Sequence, residues 1–176
     1  MSLKIFGVGN PLMRDDGIGV AVSKLLDPPS DATVFQGEIF VEDCLSNIEE
    51  GDTVIILDAV QFAEPVGKVI TIPFEACKRY FPPKAFCHDA SLLYMLLYGE
   101  QNVSGFLIGI QAAEIAFSEG LSPVLINHLP DIVGQVNREV AAINTRLRCI
   151  ATPSPCTECR QSNIQITDEN TLGVLF

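Results

Sequence analysis

Val54-Ile55-Ile56-Leu57 is a continuous apolar run that stops at Asp58. A strand with one wet face alternates apolar and polar residues, whereas an unbroken apolar run needs cover on both faces. The run is therefore expected as a central parallel strand with helices on either side. Leu3 to Val8 and Phe106-Leu107-Ile108-Gly109-Ile110 have the same character. Residues 67–74 alternate more weakly after a turn at Glu64-Pro65, which suits an edge position.

Between these runs the apolar period becomes helical. Ile18, Ala21, Val22, Leu25 and Leu26 share a face that stops before Asp27-Pro28-Pro29. Leu92, Leu93, Leu96 and Leu97 do the same within residues 88–98, with Gly99 as the stop. Ser122-Pro123 reads as an N-cap and first helical residue. The helix it opens carries Leu125, Leu129, Ile132, Val136, Val140, Ile143 and Leu147 on one side, and Pro130 is expected to kink or split it. Strands alternating with helices predict one α/β domain over residues 1–150, three-layered, with a largely parallel twisted sheet flanked by helices. Residues 151–176 lose all periodicity and read as a C-terminal tail holding the pair Cys156-x-x-Cys159.

Eleven basic against 22 acidic residues leave a formal charge of −11, which argues against a nucleic-acid partner. No apolar run reaches the roughly 18 residues of a membrane span. Met1-Ser2-Leu3-Lys4-Ile5 runs directly into a strand, without the apolar core of a secretory signal. The expected setting is the cytoplasm, with no membrane insertion. Cys44, Cys77, Cys87 and Cys149 are scattered singly and read as small buried hydrophobes rather than a disulfide framework.

Ligands of an open parallel sheet gather at the carboxyl ends of its strands. Asp16 follows the first strand, Asp58 closes the second apolar run, and His88 precedes the helix of Leu92 to Leu97. Two carboxylates and an imidazole make a ligand set for a divalent transition metal, with nickel, zinc and iron all suited. Each residue also has an ordinary explanation: Asp16 at a helix N-terminus, Asp58 in a turn, His88 as a cap or surface residue. Other chemistries fit less well. The glycines of residues 7–19 do not match G-x-G-x-x-G, and neither G-K-[ST] nor G-x-S-x-G occurs. Cys87 with His88, or Asp15 with Asp16, would make chain neighbours face each other to form a catalytic pair, which they seldom do.

Four segments in order carry a family likeness: "GVGNPLMRDDGIGV" (7–20), "VIILDAVQFAEPVGKV" (54–69), "CHDASLL" (87–93) and "GIQAAEIAFSEGLSPVL" (109–125). They resemble the hydrogenase maturation endopeptidases over most of residues 3–148, which implies a phosphorylase/hydrolase-like form of the α/β fold. The resemblance implies an endopeptidase that removes a C-terminal extension from the large-subunit precursor of NiFe hydrogenases after nickel insertion. By motif match Asp16, Asp58 and His88 become the metal-recognising and catalytic positions, while Asp15, Gly17 and Gly19 shape the loop. The nickel is expected to arrive with the substrate, although other divalent metals could occupy the site. Two mechanisms stay open: a resident metal that activates water, or a site completed only by the nickel of the precursor, which the resemblance favours. The expected partner of this monomer is the precursor itself. Ala112 stands where the family often has proline, and the tail lies outside the pattern. "SPCTECR" in that tail resembles the D-P-C-x-x-C segment with which hydrogenase large subunits hold nickel. The alternatives are a non-catalytic nickel-binding chaperone on the same fold and a different peptidase of similar fold, such as a spore-germination-type protease.

Overall fold

The computed structural model describes residues 2–81, 91–99 and 103–151. The predicted positions His88, Cys87, Cys156 and Cys159 lie outside them. The strands are β1 (Leu3–Val8), β2 (Ala32–Glu38), β3 (Thr53–Val60), β4 (Val69–Pro73) and β5 (Ser104–Gln111). The helices are α1 (Ile18–Ser23), α2 (Val41–Ser46), α3 (Phe74–Tyr80), α4 (Leu92–Tyr98) and α5 (Pro123–Ala151), and Arg14–Gly17 forms a 3-10 turn ahead of α1.

The strands make one sheet in the order β2-β1-β3-β5-β4. β3 lies at its centre, parallel to both β1 and β5, and β2 is parallel to β1. Only β4 runs antiparallel, against β5, at the edge position its weak alternation suggested. The unbroken run on β3 is explained by what covers it. Val54 and Ile56 join a core with residues of α2, α3 and α4, including Cys44, Cys77 and Leu96. Ile55 and Leu57 point the other way, into a core with Ile18 and Val22 of α1 and with Leu125, Ile132, Val136, Val140 and Ile143 of α5. All four side chains of the run are fully buried. Helix, sheet and helix thus form three layers.

Several expectations change. β3 does not stop at Asp58 but pairs with β5 as far as Val60↔Gln111, so the carboxylate stands within the strand, two residues before its end. α1 ends at Ser23, and Leu25 is exposed rather than part of its buried face. Pro130 does not split α5, which is continuous over Pro123–Ala151. A proline leaves the carbonyl four residues earlier without its amide partner. Here that residue is Ile126, exposed like Pro130 itself, so water can satisfy the carbonyl. The Ser122 Oγ caps α5 by accepting the Leu125 N–H at 3.3 Å, and the Ser91 Oγ caps α4 by accepting the Tyr94 N–H at 3.2 Å. Among the described residues no helix is long and apolar enough to cross a membrane.

Candidate active site

After β1 the chain turns at Gly9, whose φ of 110° lies in the left-handed region. A Cβ there would overlap the carbonyl oxygen of Asp16, so the turn requires glycine on two counts. The fold-back carries Asp16 alongside Asn10, whose backbone N–H donates to Asp16 Oδ2 at 2.7 Å. Among the described residues nothing engages Asp16 Oδ1.

A second close approach brings Asp58 to the same rim. A Cβ on Gly19 would meet the carbonyl oxygens of Leu57 and Val8, so the first turn of α1 rests directly on the backbone of β1 and β3. The next residue on β3 is Asp58, half-buried, its Oδ1 accepting the N–H of Ala59 at 2.8 Å. Burial pushes the Asp58 carboxyl up to about 7, and the neighbouring Asp16 charge pushes in the same direction. Two carboxylates contributed by separate elements therefore share one edge, and one of them holds its proton to near neutrality. A cation held by both would offset the repulsion and favour the charged form of each.

Both face a cleft of about 720 Å³ whose walls also carry Glu38 and Glu42, while Ser91 and Leu92 line it from the opening of α4. Among the described residues no lysine or arginine lines it. The donor set and the sign of the charge suit a divalent cation or a cationic group, and suit a phosphate poorly. Cys44 also lines the cleft, but burial, with Asp43 adding to it, lifts its thiol to about 11, which leaves it protonated and a poor nucleophile at neutral pH. Cys77 is buried deeper still and pushed up to about 12. Among the described residues no three His, Cys, Asp or Glu side chains converge on one point. The described part of the predicted triad is the pair Asp16 and Asp58. The segment holding His88 leads into Ser91, which reaches the cleft.

The sequence profile of the HycI hydrogenase maturation proteases matches residues 21–139, well over half of the chain. The chain belongs to the hydrogenase maturation protease family. The match includes Asp58 and His88, while Asp16 precedes it. Solved structures show that the fold is shared. Against the hydrogenase maturating endopeptidase HybD from E. coli the TM-score is 0.59 at 24% identity, over 77% of this chain and 90% of that one. The HybD maturation protease from Thermococcus kodakarensis aligns with a TM-score of 0.60 at 22% identity, over 80% and 99%. The HycI structure from the same organism gives 0.57 at 20% identity, over 80% and 92%. No curated protein is significantly similar to the chain.

In this family member the sequence did not reveal what Asp15 does. The carboxylate is fully buried and accepts from the N–H groups of Ala113 (3.0 Å), Glu114 (2.9 Å) and Ser122 (2.7 Å) and from the Ser122 hydroxyl (2.9 Å). Neighbours on a 3-10 turn point about 120° apart. Asp15 is thus sent into the protein and Asp16 to the cleft. Glu38 and Glu42 were also missed, because they sit around a strand and a short helix that the periodicity did not mark.

Proposed function

We propose that this maturation protease removes a C-terminal extension from the large-subunit precursor of a NiFe hydrogenase, and that it recognises nickel already held by that precursor. The observation that carries the reading is the pair Asp16 and Asp58 on one acidic cleft of a chain in this family. Nickel belongs to the substrate here, and His88 would complete the set from the segment leading into α4.

The chain's own groups supply the conditions for such recognition. Asn10 fixes one oxygen of Asp16 and leaves the other toward the cleft. Asp58 must give up its proton before it can ligate, so ligation competes with protonation. Without a cation the two carboxylates disfavour each other's charge. With one, the precursor is tethered to both protein elements, and its scissile peptide can be held in one orientation instead of sampling many. Orientation of this kind is worth several powers of ten in rate. Cleavage would then wait on nickel insertion without any separate sensor.

Incubation of the full chain with nickel-loaded and nickel-free precursor, followed by mass measurement of the precursor C-terminus, tests this. Only the loaded precursor should lose its extension. Asp16→Asn, Asp58→Asn and His88→Ala should each slow the reaction by about a hundredfold or more. Wild-type rates in these variants would refute the ligand assignment. Equal cleavage of both precursors would remove the nickel requirement while leaving a protease. Uptake of nickel with the extension intact would mark a carrier instead of an enzyme.

A further inference from the structure

The loop that presents Asp16 is fastened along its length to the loop between β5 and α5. Ser118 N–H donates to Leu12 O at 3.0 Å, and Arg14 N–H donates to Ser118 O at 2.9 Å. The Arg14 guanidinium reaches Ser118 Oγ at 2.9 Å and lies 2.9 Å from Glu114 Oε2. Arg14 takes a left-handed φ of 57°, unusual for a residue with a Cβ, and these contacts hold it there. At the centre is the Asp15 carboxylate with its four donors, all from residues 98 to 107 positions away in the chain. Its immediate neighbour is Asp16.

We propose that Asp15 is a positioning residue for Asp16. Its buried carboxylate locks the 3-10 turn to the 112–122 loop and thereby sets where the Asp16 carboxylate stands in the cleft. The inference rests on the reading of Asp16 as a ligand of the precursor's nickel. Four donors converge on Asp15, and only a carboxylate has acceptors alone. In Asp15→Asn the amide nitrogen meets an N–H or O–H donor whichever way it is turned. The turn must then shift, and Asp16 shifts with it.

The dissociation constant of nickel-loaded precursor, measured for the full chain at a temperature where circular dichroism shows each variant folded, provides the test. Asp15→Asn should weaken binding about tenfold in the wild-type background and by less than about twofold in an Asp16→Asn background, because what it disturbs is already absent there. A purely structural role would lower the melting temperature and leave binding by the folded variant unchanged, which would overturn the proposal. An equal loss in both backgrounds would overturn it too, since Asp15 would then act without Asp16. If Asp15→Asn does not fold, Ser122→Ala, which removes only the hydroxyl donor of the four, is read in the same two backgrounds with a smaller loss expected in the first alone. Should Asp16→Asn by itself leave binding unchanged, the nickel reading fails first, and that outcome is distinct from the others.

Discussion

Asp58 keeps its proton to about pH 7 because burial disfavours its charged form and the Asp16 charge stands beside it. A carboxyl that titrates higher in the folded chain than in the unfolded one favours folding while protonated. That contribution is fully present below the ordinary carboxylate value near 4 and is lost as pH rises through about 7. The unliganded protein should therefore lose stability across this interval. Asp58→Asn should flatten that part of the profile, as denaturant titrations at several pH values would show. A wild-type profile unchanged by the substitution would mean that the carboxyl is not held as described. Asp15 is the contrasting case on the same turn. It is fully buried, yet four donors meet it, so its burial serves structure, whereas Asp58 accepts the N–H of Ala59 alone among the described residues and faces the cleft.

At the scale of elements, the site depends on how closely α1 approaches the sheet. Gly19 permits that approach, since the carbonyl oxygens of Leu57 and Val8 occupy the space of a Cβ. Both obstacles are backbone atoms of paired strands and cannot swing aside as a side chain could. Gly19→Ala should destabilise the chain by at least about 2 kcal/mol. It should also lower processing of nickel-loaded precursor, because Asp58 rides on β3 and Asp16 on the turn that leads into α1, the helix pushed away from that strand. A chemical-denaturation curve and a cleavage assay on the folded fraction check both parts; normal values in both would show that the contact is less rigid than drawn. β2 marks where element prediction fails. It is an edge strand, and its run Ala32–Glu38 mixes buried, partly buried and exposed residues without a clean period. α2 fully buries only Cys44 and α3 only Phe74 and Cys77, so neither shows an apolar stripe like the four leucines of α4.

Over the whole molecule, 22 acidic residues oppose 11 basic ones, and among the described residues four carboxylates line the cleft itself. Such an excess repels itself in the compact state, and salt screens it. Melting temperature should rise from low to physiological ionic strength. A divalent cation should raise it further than a monovalent salt of equal ionic strength, and the extra gain should vanish in Asp58→Asn. Thermal melts in sodium and nickel salts make the comparison. An equal response to both salts would argue that the rim of the cleft does not collect cations.

By itself the sequence determined the layered α/β architecture, the central place of β3, the edge place of β4 and the buried stripe of α5. These are legible because burial on one face or two leaves a period of its own in the chain. It also pointed to Asp16 and Asp58 as rim residues, since a glycine turn and the break in an apolar run are local signals. Only the tertiary structure decided that β3 runs on past Asp58, that Asp58 holds its proton, and that Asp15 ties two loops together. Each of these depends on what stands next to a side chain. For Asp15 those neighbours lie about a hundred residues away, where no local pattern can register them.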